Sequence, residues 1–176
     1  MLHWIGLLIV AYLTADLIAG FWHWLEDRYF DVRWPLVGEY IAKPNELHHT
    51  QPQAFVAQSY WSRNWTTITP ASVVFLLALF SGSIFWMAVA AFASQANEIH
   101  AWAHSKGKLP QWIVMLQATG LLQSPAHHAE HHRSPFAIRY CVMSDWLNPM
   151  LDYFQVWRSL EGLLEIAFGL RVKPDA

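Results

Sequence analysis

Residues 2–25, LHWIGLLIVAYLTADLIAGFWHWL, form a long apolar segment near the start of the chain. The segment contains no lysine or arginine, and Asp16 is its one acidic residue. A helix rises ~1.5 Å per residue, so a segment of this length can cross a hydrocarbon core of about 30 Å. The segment therefore predicts a transmembrane helix, and it carries His23 close to its end.

The composition of the whole chain agrees with a membrane protein. The 176 residues are 55% hydrophobic and 14% charged, and 11 of them are tryptophan. A soluble domain has roughly 25% charged residues, and tryptophan concentrates where a bilayer meets water. The formal net charge of −2 gives no indication of a nucleic-acid partner. Cys141 is the one cysteine, which excludes an internal disulfide and a cysteine-cluster metal site. We expect a single domain over residues 1–176.

Three further apolar segments follow, at residues 65–80, 84–104 and 109–123. The first two are predicted transmembrane segments, joined by a tight turn at residues 81–83. The third would reach only ~22 Å as a helix, which is short of the bilayer core. It is interpreted as interfacial or re-entrant, with a short fourth crossing as the alternative. The sequence therefore predicts an all-α integral membrane protein with three to four transmembrane helices.

The basic residues orient this topology. All eleven lysines and arginines lie in residues 28–63 or 106–173, and none lies in 1–27 or 64–105. The loops after the first and third segments therefore share a side, and the positive-inside tendency makes that side cytoplasmic. An aromatic, amphipathic stretch near the C-terminus suits a helix that lies on the membrane surface. Its sequence is DWLNPMLDYFQVWRSLEGLLEIAFGL.

Nine of the ten histidines fall into four groups at the cytoplasmic ends of these segments or just beyond them. The groups are His23, His48 with His49, His100 with His104, and the four histidines of the stretch HHAEHH, which are His127, His128, His131 and His132. Histidines four residues apart on a helix can offer two nitrogens to one ion. His3 lies outside the groups and is expected to be an interfacial residue.

So many imidazoles on one membrane face predict a metal site, because buried rings without a cation would leave donors and acceptors unpaired. The number of ligands exceeds what one zinc ion takes and suits two ions. Imidazole alone does not choose between zinc, copper, iron and nickel. Nitrogen-rich ligation at a membrane face with open coordination positions favours di-iron oxygen chemistry.

Several stretches resemble the Kua/CarF lipid desaturase family, whose members include the plasmanylethanolamine desaturases and plastid fatty-acyl desaturases. The matching stretches are DLIAGFWHWLEDRY, KPNELHHTQP, NEIHAWAHSKGKLPQWIVMLQ, HHAEHHRSP and YCVMSDWLN. The resemblance extends from Asp16 to about Val172, nearly the whole chain. The histidine boxes with their tryptophans, and the LPxW stretch, make the resemblance specific.

The resemblance implies a set of residues that hold or border two iron ions. The set is His23, Asp27, His48, His49, His100, His104, His127, His128, His131 and His132. Asp27 either binds iron or orients a ligand histidine, and His127 either binds or points aside to orient a neighbour. Asn97 fits the same pattern through a water-mediated contact. Glu130 is either an orienting partner or exposed to solvent.

The implied activity is a di-iron desaturation of a phospholipid alkyl or acyl chain, with O₂ as co-substrate. Two electrons would come from an external protein, either ferredoxin or cytochrome b5, because no flavin or nicotinamide motif is visible. The expected location is a bacterial inner membrane, or the ER or plastid membrane of a eukaryote, with the metals on the cytoplasmic side.

Two alternatives stay open at this point. The same site can hydroxylate a fatty-acyl chain or another lipid, because both reactions begin with hydrogen abstraction. A non-enzymatic membrane metal-binding or haem-binding protein is the other alternative.

The lipid chain is expected in an apolar groove between the first three segments. Four aromatic residues are candidates to line or close it: Trp22, Trp24, Trp86 and Trp102. Arg133 and Arg139 are candidates to contact a lipid phosphate. Cys141 is expected to be a small packed residue.

Overall fold

The computed structural model describes residues 2–173, which form helices and connecting loops with no β-strand among them. The predicted all-α fold is therefore confirmed for this part of the chain. The helices are α1 (Leu2–Arg28), α2 (Lys43–Thr50), α3 (Pro52–Val56), α4 (Tyr60–Ser81), α5 (Ile84–Ala93), α6 (Ala96–His104), α7 (Gln111–Ala118), α8 (Pro125–His131), α9 (Leu147–Tyr153) and α10 (Val156–Phe168). A π-helical turn (Gly38–Ala42) precedes α2.

Helices α1 and α4 are the helices in residues 2–173 that are long and apolar enough to cross a membrane. Helix α4 begins at Tyr60, five residues before the predicted segment, because the Ser59 side chain accepts a hydrogen bond from the Ser62 amide and caps the helix. Its far end leaves Leu77 and Phe80 64% and 88% exposed. Exposed apolar surface of this kind marks a membrane-facing or a protein-binding surface.

The segment 84–104 is divided into two helices rather than one. Helix α5 ends at Ala93, and α6 begins at Ala96 after a turn at Ser94 and Gln95. The amide of Gln95 donates to the carbonyl of Phe92, three residues back, instead of continuing the four-residue pattern. The turn separates the apolar α5 from the histidine-bearing α6.

The segment 109–123 contains only the eight-residue helix α7. At ~1.5 Å per residue this helix extends ~12 Å, well short of a bilayer core. Its length favours the interfacial interpretation over a fourth crossing, and its position at a membrane surface stays a prediction.

Helix α5 packs against both long helices, and α6 contacts α3, α4 and α8. Small residues allow the close approach of α1 and α5, since Ala11, Ala15 and Ala90 are all buried. A second cluster joins the end of α1 to the C-terminal helices through Trp24, Tyr140 and Trp157.

Residues 138–144, here called the return segment, run against the buried side of α1. Gly20 permits this contact, because a Cβ atom there would lie 2.6 Å from the Cys141 sulfur and 2.9 Å from its Cα. Asp16 anchors the segment by accepting hydrogen bonds from the amides of Met143 and Ser144, at 2.8 and 3.1 Å. Cys141 is fully buried, as predicted.

Candidate metal centre

Nine of the ten predicted ligand residues come together in two adjacent groups. The five-histidine group consists of His48, His100, His104, His128 and His132. The mixed group consists of His23, Asp27, His49 and His131. Within each group, one ligand atom from every residue lies within 4.8 Å of all the others.

Four helices supply these side chains. Helix α1 contributes His23 and Asp27, which are four residues apart and so share a helix face. Helix α2 contributes consecutive histidines, and His48 enters one group while His49 enters the other. The rings of these two residues lie 4.4 Å apart, so the groups are direct neighbours. The remaining ligands come from α6 and from α8 with its C-terminal residue.

The five-histidine group points its nitrogens at a common centre. The His128 Nε2 lies 2.8 Å from the Nε2 of both His100 and His104, and 3.0 Å from that of His132. The Nε2 atoms of His100 and His104 are 3.2 Å apart. Nitrogens bound to one ion at about 2.1 Å stand about 3.0–3.4 Å from each other. The spacing therefore fits a shared transition-metal ion.

The mixed group is organised around the Asp27 carboxylate. Its Oδ1 lies 3.0 Å from His49 Nε2, and its Oδ2 lies 3.3 Å from His131 Nε2 and 3.7 Å from His23 Nε2. Asn45 donates a hydrogen bond of 2.6 Å to Oδ1. One carboxylate and three imidazoles are a donor set suited to a divalent first-row metal.

Backbone carbonyls orient three of the ligand rings. The Nδ1 atoms of His23, His48 and His131 contact the carbonyls of Tyr140, Asn45 and Ile138 at 3.1, 2.7 and 2.8 Å. This contact makes Nδ1 the protonated nitrogen and leaves Nε2 with a free lone pair. In all three rings Nε2 is buried without a hydrogen-bond partner. Buried acceptor nitrogens without a hydrogen-bond partner are expected of metal ligands.

Three ligand histidines outside the long helices, His48, His128 and His132, are held neutral. Burial, reinforced by the neighbouring imidazoles, keeps the pKa of His48 and His128 well below the usual histidine value. The same causes lower the pKa of His132 to about 2. Neutral imidazole is the form that binds a metal, so these ligands need not lose a proton at physiological pH.

His127 is placed apart from both groups. Its ring nitrogens contact the guanidinium of Arg139 at 2.7 Å and the amide nitrogen of Asn148 at 3.0 Å. Glu130 pairs with Arg139 at 2.7 Å and so belongs to the same polar network. Arg139 is thus engaged within the protein, whereas Arg133 is exposed.

Asn97 also has a role within the fold. Its side-chain amide donates to the carbonyl of Arg63 and to the Thr66 hydroxyl, at 2.8 and 3.1 Å, which links α6 to α4. The neighbouring Glu98 accepts from Arg63, Asn64 and Trp102. The contacts of Asn97 and Glu98 with α4 hold the first turn of α6 in place, just before His100.

A cavity of about 500 Å³ opens beside the metal groups. Its lining includes the ligand histidines His23, His48 and His100 together with apolar residues such as Val74 and Trp86. Of the four candidate groove tryptophans, Trp22 and Trp86 line the cavity. Trp24 is instead packed in the core against Trp157, and the Trp102 indole donates to Glu98. An apolar molecule in this space would lie beside residues of both groups.

Sequence reasoning missed the polar residues that support the ligands. Asn45 contacts both Asp27 and His48, and Gln123 and Asn148 donate to the Cys141 carbonyl of the return segment. Asp16 carried a signal, since a lone acid in an apolar segment indicates a specific partner. The amides of Asn45, Gln123 and Asn148 carried none, because an amide side chain in a polar stretch does not reveal which group it will contact.

The known proteins that this chain resembles are described as desaturases of lipids or fatty acids. A family model described as the lipid desaturase domain matches residues 12–175. Fatty acid desaturase 4-like 2, a chloroplastic protein of Arabidopsis thaliana, is 36% identical over 169 residues, which are 92% of this chain and 60% of the relative. A probable fatty acid desaturase of Acanthamoeba polyphaga mimivirus is 31% identical over 179 residues, 96% of this chain and 85% of the relative. A plasmanylethanolamine desaturase of Myxococcus xanthus is 27% identical over 177 residues, 95% of this chain and 62% of the relative.

The chain spans 60% and 51% of the lengths of two plant relatives it matches. No solved structure matches it significantly. The family match nevertheless covers nearly all of the described residues and every member of both metal groups. The chain belongs to the Kua/CarF lipid desaturase family.

Proposed function

We propose that the protein is an integral-membrane di-iron desaturase that introduces a double bond into an alkyl or acyl chain of a phospholipid. It would use O₂ and two electrons supplied by a separate protein. The observation that carries the proposal is the pair of adjacent ligand groups opening onto one apolar cavity. Family membership supports lipid desaturation as the chemistry of this site.

The nine residues of the two groups are the proposed ligands, and His127 is left out because its nitrogens already have partners. Iron bound there would supply O₂ activation and hydrogen abstraction. Imidazole serves several metals, so the choice of iron comes from the proposed reaction rather than from the ligands.

The protein's own residues position the lipid and the ligands. The apolar cavity wall, including Val74 and Val89, would hold the chain and exclude water. His23 belongs to the mixed group and His100 to the five-histidine group, and both line the cavity. A chain in the cavity would therefore pass both metal positions. The carbonyls of Tyr140 and Asn45 keep Nε2 of His23 and His48 turned toward the metals.

The membrane arrangement is also part of the proposal. Helices α1 and α4 would cross the bilayer, and α5 with α6 would return along α4 as the third crossing predicted for residues 84–104. The basic loops would place the metals on the cytoplasmic side. The relatives' names include fatty acid and plasmanylethanolamine desaturases, so the chain carrying the new double bond can be acyl or alkyl.

Lipid mass spectrometry of cells with and without the gene tests the proposal. We expect a new double bond in a phospholipid chain, absent when His104→Ala or His131→Ala is expressed at the same level in the membrane. An acid-labile vinyl ether would identify an alkyl substrate, and an acyl double bond an acyl substrate. A hydroxylated lipid, or conversion retained in both variants, would contradict the proposal.

A further inference from the structure

The lysines and arginines of the chain fall into two classes, those that pair with a carboxylate and those that do not. Seven of the eleven lysines and arginines form ion pairs with carboxylates in the described structure; they are Arg28, Arg33, Lys43, Arg63, Arg139, Arg171 and Lys173. Within residues 2–173 the other four, Lys106, Lys108, Arg133 and Arg158, are exposed and have no carboxylate partner. Unpaired exposed charges are available to an external partner.

Three of these four residues flank the same part of the metal centre. Lys106 follows His104 by two residues, Lys108 by four, and Arg133 directly follows His132. The rings of His104 and His132 lie 4.5 Å apart, which brings the two basic loop segments together. We call Lys106, Lys108 and Arg133 the basic rim.

The basic rim adjoins the two partly exposed ligands of the five-histidine group, because its residues follow His104 and His132 in the chain. His48, His100 and His128 are buried, whereas His104 and His132 are partly exposed. An electron arriving at the rim would reach the ion of this group through one of these two rings. Ligand exposure and unpaired positive charge therefore occur at one place on the surface.

We propose that the basic rim is the docking surface for an acidic one-electron carrier protein that reduces the metal centre. The inference rests on the proposed function, and it adds the site and charge of the partner. Desaturation reduces O₂ to two water molecules with four electrons and four protons. Two electrons and two protons leave the lipid chain as it becomes a double bond. The other two electrons come from two carrier molecules, each oxidised by one electron, and two protons come from water.

A carrier protein accounts for the surface better than a lipid headgroup does. Contact with anionic lipid would explain the positive charges of the basic rim. It would not explain why the ligands His104 and His132 are partly exposed beside these charges. Opposite charge on the partner would raise the association rate and make binding sensitive to salt. Both consequences are measurable without turnover.

The test measures binding of two oxidised acidic carriers, a [2Fe–2S] ferredoxin and a cytochrome b5, to the detergent-solubilised full chain. The variant is Lys106→Glu, Lys108→Glu and Arg133→Glu combined, and the control is Arg158→Glu. Arg158 is equally exposed and unpaired, but it lies on α10, which packs on α9. We expect at least one carrier to bind wild type, with a dissociation constant that rises steeply with salt.

In the triple variant we expect that dissociation constant to rise at least tenfold at low salt and to lose most of its salt dependence. Arg158→Glu should change it less than twofold, and the metal content of both variants should equal wild type. Equal weakening by Arg158→Glu, no weakening by the triple variant, or no binding of either carrier would overturn the docking surface. So would a triple variant that loses only binding to phosphatidylglycerol vesicles.

Because oxidised carriers are used, the result does not depend on catalysis. Wild-type protein that binds a carrier through the rim but leaves lipids unchanged would contradict the proposed function alone. Protein that desaturates lipids with unchanged carrier affinity in the triple variant would contradict the docking surface alone.

Discussion

The Nε2 atoms of His100 and His128 lie 2.8 Å apart, although 28 residues separate them in the chain. His104 Nε2 lies at the same distance from His128 Nε2. A neutral imidazole has one N–H, so these nitrogens cannot all be satisfied by hydrogen bonds to each other. The lone pairs of nitrogens at this distance repel each other, and a shared cation that they all bind would remove the repulsion. The contact therefore joins α6 to α8 most stably when a metal is bound.

Replacing His128 should remove metal from the five-histidine group. The Nε2 atom of His128 lies beside three other ligand nitrogens, so His128→Ala should lose the ion of this group. The mixed group is unchanged, and we therefore expect the variant to retain about one ion per chain. His127→Ala is the matched control from the same helix and should retain two ions, since its ring contacts Arg139 and Asn148. Elemental analysis of purified protein measures both. Equal loss of metal in the two variants would show that it is wrong to assign His128 as a ligand and His127 as a residue outside the metal groups.

Replacing Asp27 should weaken the mixed group. Asp27→Asn removes the one negative charge among these ligands while nearly preserving shape, so we expect the metal affinity of this group to fall at least tenfold. Asn45→Ala removes only the hydrogen bond to Asp27 and should lower the affinity less. Competition with a chelator gives both values. An Asp27→Asn protein with wild-type affinity would exclude the carboxylate as a ligand.

Filling the cavity should block the lipid without removing the metals. Val74 lines the cavity, whereas its neighbour Val73 is 54% exposed and does not. We expect Val74→Trp to lower lipid conversion more than tenfold with two ions retained. Val73→Trp should leave conversion near wild type. Lipid mass spectrometry and metal analysis read the two effects separately, and equal conversion in both variants would contradict the placement of the chain.

Glu98 should contribute strongly to stability. Its carboxylate accepts hydrogen bonds from Arg63, Asn64 and Trp102, and the Arg63 pair is largely buried. Removing one member of a buried ion pair costs about 3–5 kcal/mol. We expect Glu98→Ala to lower the melting temperature by about 6–20 °C, using about 2–4 °C per kcal/mol for a chain of this size.

Glu165→Ala is the control for that measurement, because the Glu165–Arg171 pair is exposed. An exposed ion pair contributes little to stability, so the melting temperature should stay close to wild type. If both variants melt alike, the contacts of Glu98 do not hold α4 and α6 together.

Metal removal should destabilise the protein. A ligand at a hundred times its dissociation constant stabilises the folded state by about 2.7 kcal/mol. We therefore expect a chelator to lower the melting temperature by about 5–11 °C and added iron(II) to restore it. A melting temperature that does not respond to metal would contradict coordination by groups from four helices.

The sequence predicted the elements whose signals are local. The absence of lysine and arginine in residues 2–25 indicated α1, and the four-residue spacing of His100 and His104 predicted ligands on one helix face. The turn at Ser94 and Gln95 was not predictable, because neither residue forbids a helix. The turn is held by a contact with α4, since the Thr67 hydroxyl donates to the Ser94 carbonyl, 27 positions away.

The stretch HHAEHH shows where spacing stops being informative. His127 and His131 are four residues apart, and so are His128 and His132, so spacing alone treats the pairs alike. The structure turns His128 toward α6 and His127 toward Asn148. That choice depends on contacts with the return segment, and its hydrogen bonds to Asp16 span 127 and 128 positions.

Iron quantification combined with iron K-edge X-ray absorption on the purified full chain tests the paired metal centre most directly. We expect two iron ions per chain, a first shell dominated by imidazole nitrogen, and loss of about one ion in His128→Ala. Protein reconstituted with iron(II) that holds no iron, or a single ion unaffected by His128→Ala, would contradict a two-metal centre built from these groups.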